Sequence, residues 1–330
     1  MKFLKTEEHF NMPICTVLLI TYNHAEYIRK AIDSVLEQKT QYDFVIHIFD
    51  DASNDGTSDI IREYAQNYPD KIRPFISETN KGAQNNIWNA YKSVKTKYCA
   101  LLECDDYWCD ENKLELQITA LEQHPECSFC AHDTVLYTLD ESCREYCDGA
   151  IWMQQPLIKG KQIIKLEDIY PITNCGYIPH ISSRLVRTDL LDLEKIKYKE
   201  SVLFDFNQFF YLLLKAPFYY IDKIMSAYQK TGKGVHSQKT PFEVLNQELP
   251  LICDFNKETN FVIAEKIFQE YRTQINHRLE LYYSYSGKEP LFLNTVEQTT
   301  QKKSTLSKIW KLIYSNPMHY IKNRMKGVNK

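Results

Sequence analysis

The stretch Leu101-Leu102-Glu103-Cys104-Asp105-Asp106-Tyr107-Trp108 places three acidic residues within four positions, directly after an apolar run. Carboxylates are almost never buried without a partner, so three of them at a strand end must face water, a cation or a ligand that carries a cation. The apolar run at 98–102 predicts the strand that leads into them. We therefore expect residues 103–106, which we call the acid turn, to lie at the edge of a sheet and to carry function.

The sequence before the acid turn alternates short apolar runs with amphipathic segments. The runs predict four strands buried on both faces, at residues 14–20, 44–49, 72–76 and 98–102. The segments between them have apolar residues at helical spacing; the first covers 24–38 with Asn23 as its N-cap, and the second has Thr57 or Ser58 as its N-cap. Strands that alternate with helices in this way predict a parallel sheet with helical crossovers.

Polar residues follow three of these strands, at Thr21-Tyr22-Asn23, at Asp50-Asp51 and at the acid turn. Ligands of such sheets bind beyond the carboxyl ends of the strands, so we expect the three groups to share one crevice. Carboxylate oxygens suit Mg²⁺ or Mn²⁺, which bind one or two carboxylates together with substrate phosphates. A glycine-rich phosphate loop is missing after the first strand, so a bound diphosphate would need a metal, Lys or Arg to balance its charge.

The sequence after residue 126 is less regular. We predict strands at 128–139, 177–186 and 221–228, an irregular stretch at 140–175, and a helix at 206–214 directly after Asp205. Amphipathic helices without clear strands follow. This change predicts one domain over 1–237, with halves 14–125 and 126–237, and a helical C-terminal region over 238–330.

The composition is that of an ordinary globular protein, with 44% hydrophobic and 25% charged residues. A net charge of -3 gives no reason to expect a nucleic-acid partner. The N-terminal residues include acids and a His where a secretory signal would need an apolar run, so we expect no secretory signal. Without such a signal, the ten cysteines predict reduced thiols in the cytoplasm. No stretch is long and apolar enough to predict a transmembrane helix.

Residues 300–330 are both basic and apolar, with no acidic residue from Gln298 to Lys330. Such a segment is typical of a chain that lies on an anionic lipid surface, which predicts peripheral contact with the cytoplasmic face of the membrane. The alternative is a helix packed on the main domain with a solvated basic face.

Four motifs together resemble the family 2 glycosyltransferases of the GT-A fold, of the type that builds bacterial surface polysaccharides. They are residues 17–24 (Val17-Leu18-Leu19-Ile20-Thr21-Tyr22-Asn23-His24), 31–38 (Ala31-Ile32-Asp33-Ser34-Val35-Leu36-Glu37-Gln38), 49–57 (Phe49-Asp50-Asp51-Ala52-Ser53-Asn54-Asp55-Gly56-Thr57) and 103–108. Their order and spacing over 14–125 carry the resemblance, which is thinner through 237. It implies an α/β fold with a mostly parallel sheet flanked by helices, and transfer of a hexosyl or N-acetylhexosaminyl group from a nucleotide sugar, most often a UDP-sugar.

The resemblance also implies roles for single residues. Tyr22 and Asp51 correspond to positions that hold the nucleotide base, with Asn23 beside them. Glu103 and Asp105 occupy the family's Asp-x-Asp motif, whose first acid usually contacts the ribose and whose last binds Mn²⁺ or Mg²⁺. Glutamate in the first position departs from the motif, and Asp106 is a second candidate for the metal.

The second half supplies the remaining candidates. Inverting members of the family use a carboxylate at a strand-to-helix junction to take the proton from the acceptor hydroxyl, and Asp205 stands in that context. Its alternative role is that of a helix N-cap. Residues 228–237 resemble a segment that contacts the diphosphate, where Lys230, Lys233 or His236 would have to replace the family's Arg and His.

Two other functions share parts of this pattern. A non-catalytic nucleotide-sugar or glycan-binding module would keep the fold and bind without turnover. A metal-dependent nucleotidyltransferase would also use a parallel sheet and a cation, but it would normally have a glycine-rich phosphate loop after the first strand. The complete acid turn together with Asp205 favours the glycosyltransferase, with a glycan or lipid-linked acceptor.

Overall fold

The structure is a computed structural model that describes residues 12–140, 145–152, 160–169, 179–196 and 204–231. All of them lie in the first of the two units into which the chain divides, Met1–Gln238 and Lys239–Lys330. The predicted helical region 238–330, with the basic segment 300–330, lies outside the described residues. The predicted domain boundary therefore stays a prediction.

The first half of the sheet has the predicted alternation of strands and helices. Its elements are β1 (Cys15–Thr21), α1 (Ile28–Leu36), β2 (Phe44–Asp50), α2 (Thr57–Asn67), β3 (Ile72–Ile76), α3 (Ala83–Ser93), β4 (Tyr98–Glu103) and α4 (Lys113–Gln123). β1 pairs with β2 and β4, and β2 pairs with β3, all in parallel. The predicted parallel sheet with helical crossovers is confirmed for this half.

The register of these strands brings their polar ends together. Thr21 at the end of β1 pairs with Asp50 at the end of β2, and Ile20 pairs with Glu103 at the end of β4. Every residue of β1 and β2 is buried, which explains why both strands are uninterrupted apolar runs rather than alternating ones. The loops after β1, β2 and β4 consequently leave the sheet at one edge.

The predicted helix caps are wrong. α1 begins at Ile28, not at residue 24, and Asn23 instead adopts a left-handed conformation with φ 57°, which asparagine tolerates better than most residues. Its Oδ1 accepts a hydrogen bond from the backbone amide of Asn54 at 3.0 Å. Gly56, with φ 97°, is the N-cap of α2, while Thr57 Oγ1 accepts from the backbone amide of His24 at 2.9 Å. The polar side chains join the two loops instead of capping the helices.

The second half of the sheet is mixed rather than parallel. Its elements are β5 (Tyr107–Trp108), β6 (Phe129–Asp140), β7 (Glu145–Trp152), β8 (Ile163–Ile164), α5 (Leu166–Ile169), β9 (Leu185–Arg187), α6 (Leu193–Ile196), α7 (Phe204–Lys215) and β10 (Phe218–Lys230). Within the described residues the strand order is β3-β2-β1-β4-β9-β6-β10-β5, with β7 on β6 and β8 on β10. β9 is antiparallel to both β4 and β6, and so joins the two halves.

Two predictions for this half are wrong. The stretch 140–175 is not irregular throughout, because its described parts contain β7, β8 and α5. The strand predicted at 177–186 is reduced to β9, since Ile181–Ser183 forms a 3-10 turn. In that turn His180 Nδ1 accepts from the backbone amide of Ser182 at 3.3 Å. A side chain that satisfies backbone donors in this way competes with a strand.

None of the helices in the described part of the chain combines the length and the apolar character that crossing a membrane requires.

Candidate active site

The acid turn is anchored on both sides by backbone and side-chain hydrogen bonds. The Asp106 amide donates to the Glu103 carbonyl at 2.9 Å, which closes the turn. The Cys104 amide donates to the Ile20 carbonyl at 3.0 Å, so the turn starts as an extension of the β1–β4 ladder. After the turn, the buried indole of Trp108 donates from Nε1 to the Ser182 carbonyl at 3.0 Å. The three acids are therefore held in place by the sheet on one side and by the Ile181–Ser183 turn on the other.

Asp106 is the most deeply buried acid of the turn, at 1% exposure. Ser182 Oγ donates to its Oδ2 at 2.7 Å, and the backbone amide of Gln229 in β10 donates to its Oδ1 at 3.2 Å. Burial, together with the charges of Asp105 and Glu103, raises the pKa of Asp106 well above its usual range. The carboxyl of Asp106 is thus an acceptor for two segments of the second half of the sheet.

Glu103, Asp106 and His180 form a cluster that could hold a metal ion. One ligand atom from each lies within 4.8 Å of the others, and His180 Nδ1 is 3.7 Å from Asp106 Oδ2. Burial raises the pKa of Glu103 to about 8, with added contributions from Asp105 and Asp205, and burial lowers the pKa of His180 to about 4. A cation bound here would favour the ionised acids and the neutral imidazole, which are the forms that ligate metals.

This cluster differs from the predicted metal pair. Asp106 is common to both, but Asp105 is not one of the three, and Glu103 takes its place beside the sequence-distant His180. Asp105 is partly exposed, and burial raises its pKa while the nearby His24 opposes that change. Its backbone carbonyl accepts from Gln229 Nε2 at 2.5 Å. From the sequence, His180 is expected to make only local hydrogen bonds, because nothing in the flanking residues connects it with the acid turn.

Asp205 lies close to this cluster in space. It stands in the first turn of α7, and its charge helps to raise the pKa of Glu103 and opposes the lowering of the pKa of His180. Arg184 Nη1 donates to the Asp205 backbone carbonyl at 2.6 Å. The structure therefore brings Asp205 together with the acid turn, at the edge where the sequence places it.

The residues predicted to hold the base lie on the loops after β1 and β2. Tyr22 is 44% exposed, directly after β1, whereas Asp51 is 2% exposed. Asp51 Oδ1 accepts from the Lys81 amide at 2.9 Å, and its Oδ2 accepts from the Gly82 amide at 2.8 Å. Asp51 thereby fixes the start of α3, a structural role that was not predicted from the sequence.

The end of β10 covers the acid turn. The Tyr228 ring stacks on the His180 ring, with centroids 4.7 Å apart and planes 29° apart. Burial raises the pKa of Tyr228, and the charge of Asp106 adds to that effect. Lys230 is the last residue of β10, where it pairs with Thr138, while Lys233 and His236 lie outside the described residues. The predicted diphosphate contacts stay predictions.

Comparisons with known sequences find similar proteins for the part of the chain that contains the acid turn. Glycosyl transferase family 2 matches residues 16–165. An uncharacterized protein of Mycobacterium tuberculosis is 42% identical over 117 residues, which cover 36% of this chain and 34% of that protein. The putative teichuronic acid biosynthesis glycosyltransferase TuaG of Bacillus subtilis is 33% identical over 117 residues, 36% of this chain and 45% of TuaG. The similarity spans less than half the length of either relative.

A solved structure is similar over a larger share of the chain. The crystal structure of S. aureus TarS 1-349 in complex with UDP-GlcNAc aligns with a TM-score of 0.58 at 18% identity, covering 79% of this chain and 73% of that one. At this identity the likeness defines the fold, and the predicted α/β fold of GT-A type is confirmed. The family 2 match at residues 16–165 includes the whole acid turn, so this part of the chain is similar to glycosyl transferase family 2.

Proposed function

We propose that the protein is a glycosyltransferase that moves a sugar from a nucleotide-sugar donor to a glycan or lipid-linked acceptor with the help of a divalent cation. The observation that carries the proposal is the cluster of Glu103, Asp106 and His180, with ligand atoms within 4.8 Å of one another and Asp205 close by. The family 2 domain and the names of TuaG and of the TarS complex favour a UDP-sugar of the hexose or N-acetylhexosamine class, and surface polysaccharide as the product.

The donor set favours Mn²⁺ over Mg²⁺. Carboxylate oxygens accept either ion, but an imidazole nitrogen suits a transition metal better than Mg²⁺. Glu103, Asp106 and His180 would hold the ion, with Asp105 as the further acid of the turn. When bound, the cation would act as a Lewis acid on the leaving diphosphate, an effect worth several kcal/mol in the transition state.

The chain's own side chains would do the remaining work. Asp205 would take the proton from the acceptor hydroxyl, a general-base contribution of roughly 10²–10⁴ in rate. Direct attack by that hydroxyl on the anomeric carbon would invert its configuration. Tyr22 and Asp51 would hold the nucleotide base with Asn23 beside them, and Lys230, Lys233 or His236 would contact the diphosphate. If Glu103 binds the metal, its predicted contact with the ribose must use the second carboxylate oxygen.

A thermal-shift screen of the full chain tests the proposal. UDP- and GDP-sugars are added with Mn²⁺, with Mg²⁺ and with EDTA. We expect one UDP-sugar to raise the Tm most strongly with Mn²⁺, because ligands that bind the folded state stabilise it. Glu103→Gln should remove the metal-dependent part of the shift, whereas Asp189→Asn, at an exposed acid, should keep it. Absence of a shift with every nucleotide sugar and both metals would contradict the proposal.

Peripheral contact with the membrane is a separate part of the proposal and depends on residues 300–330. Their lysines and arginines, interleaved with Trp310 and other apolar residues, suit the surface of an anionic bilayer. Sedimentation with liposomes that contain phosphatidylglycerol compares the full chain with a chain ending at residue 299. Equal sedimentation of the two would refute membrane contact through this segment and leave the proposed transfer reaction unaffected.

A further inference from the structure

We propose that Arg184 is a positioning residue that holds Asp205 and His180 against the acid turn, an inference that rests on the proposed function. Arg184 is 2% exposed and directly precedes β9, the strand between β4 and β6. Its Nε donates to the Pro179 carbonyl at 2.8 Å, and its Nη1 donates to the Asp205 carbonyl at 2.6 Å. One side chain thus binds the backbone beside His180 and the backbone of Asp205 itself.

These two bonds join segments that are not neighbours in the sequence. Pro179 immediately precedes His180, whose ring reaches Asp106, and Asp205 lies in the first turn of α7. A guanidinium is planar, with donors in a fixed fork, so it sets the separation of the two carbonyls that it binds. The position of the His180 imidazole relative to Asp205, the proposed general base, therefore depends on Arg184.

The guanidinium is itself held from the side of α7. Gln208 Oε1 accepts from Arg184 Nη1 at 3.3 Å, and Gln208 Nε2 donates to the hydroxyl of Tyr91 in α3 at 2.7 Å. The guanidinium carbon lies 5.7 Å from the centre of the Phe209 ring. Since α3 belongs to the first half of the sheet, these contacts tie the position of Asp205 to the nucleotide side of the crevice.

Lysine is the informative replacement. Arg184→Lys keeps the positive charge and most of the side-chain length, but an ammonium is a point donor that cannot reproduce the fork between the two carbonyls. A misplacement of about 1 Å at a reacting group can cost on the order of 10²-fold in rate. We expect kcat to decrease by about this factor. The KM for the donor should stay unchanged, because the substitution does not alter the residues proposed to bind the nucleotide base.

Arg187 provides a matched control at the other end of β9. Its guanidinium also donates to three backbone carbonyls, those of Cys127 at 2.8 Å, Leu121 at 2.5 Å and His124 at 3.3 Å. None of these residues belongs to the cluster or to α7. Arg187→Lys therefore loses the same type of bonds, and we expect it to lower Tm without changing kcat per folded molecule.

The experiment measures three quantities on the full chain and both variants: UDP release from the donor found in the thermal-shift screen, Tm, and amide hydrogen exchange followed by mass spectrometry. We expect Arg184→Lys to speed exchange in both 179–183 and 204–208 and to lower kcat, while Arg187→Lys does neither. Gln208→Met, a milder change that keeps both carbonyl bonds, should give a smaller loss of kcat in the same direction.

Two results would overturn the inference: an unchanged exchange rate in either segment of Arg184→Lys, or a kcat equal to that of Arg187→Lys at matched folded fraction. A wild-type chain that releases no UDP from any nucleotide sugar would instead contradict the proposed function. The exchange measurement would then decide the positioning role by itself.

Discussion

The two halves of the sheet hold their polar residues at the same edge in different ways. In the first half the loops after β1 and β2 bind each other, through Asn23 to Ser53 and Asn54 and through His24 to Thr57. The acid turn, at the end of β4, is instead held from the second half: Ser182 and Gln229, 76 and 123 positions along the chain from Asp106, bind its carboxylate. The first half is a frame whose loops contact each other over 30 to 33 positions, and the second half completes the site through contacts over 76 and 123 positions.

This difference separates the residues proposed to bind the nucleotide base from those proposed to act in the transfer step. The side chains proposed to bind the nucleotide base lie on the loops of the first half, which bind each other. Their positions therefore depend little on the second half. Glu103 and Asp106 lie at the junction, where β9 and β10 meet the first half. His180 and Asp205 come entirely from the second half. Substitution of Asp205 should therefore affect turnover more than donor binding.

The largest effect is expected for Asp205→Asn. The amide cannot accept a proton, so we expect kcat to decrease by roughly 10²–10⁴. Donor affinity should be retained because the base and ribose contacts lie on the other half of the sheet. Turnover measured as UDP release and donor affinity measured by calorimetry check the two parts separately. Near-normal turnover would show that Asp205 is not the general base and would make His180 the next candidate.

The next effect concerns the support of Asp106. Ser182→Ala removes the hydroxyl that donates to Asp106 Oδ2 at 2.7 Å. Loss of a hydrogen bond that orients a metal ligand typically costs 10–100-fold in metal affinity, and we expect the Mn²⁺ concentration for half-maximal activity to rise by about that factor. Ser128→Ala is the matched control, because Ser128 is equally buried but donates to carbonyls at 216 and 217. An equal response of the two variants would argue that Asp106 is not a metal ligand.

The same contrast explains what could be predicted from the sequence. The strands and helices of the first half follow from apolar runs and helical spacing, and the acid turn is visible because its three acids are contiguous. His180, Arg184 and Gln229 carry no such signal, since their contacts form across tens of residues. The caps at Asn23 and Thr57 were mispredicted because sequence patterns do not distinguish a helix cap from a contact between two loops.

A smaller effect on stability tests the frame. Asp51→Asn replaces one of the two carboxylate oxygens that accept from the Lys81 and Gly82 amides. Since the site is buried, we expect the free energy of unfolding to decrease by about 1–2 kcal/mol, measured by urea denaturation. Glu115→Gln, where a partly exposed carboxylate binds Thr40 and Gln41, should cost less. Equal losses would mean that Asp51 is not needed to fix the start of α3.

The pH dependence of stability tests the buried connection between the two halves. Lys113 in α4 is completely buried, with its Nζ 2.7 Å from Gln117 Oε1 and 3.8 Å from the centre of the Trp108 ring. Gln117 Nε2 in turn donates to the Ser183 carbonyl at 2.8 Å and to the Cys130 carbonyl at 3.2 Å. Burial lowers the pKa of Lys113 from 10.5 to about 7. A titrating ammonium therefore lies where the first half meets the second.

The sign of its effect on stability follows from proton counting. Below pH 7 the amine is protonated in both the folded and the unfolded chain, so its contribution does not change with pH. Between pH 7 and 10.5 the unfolded chain binds one more proton, so stability should rise with pH by up to about 1.4 kcal/mol per unit. Lys113→Met should abolish this slope in urea denaturation between pH 7 and 9, whereas Lys39→Met, at an exposed ion pair with Glu111, should keep it. A slope that survives in Lys113→Met would assign the pH dependence of stability to another group.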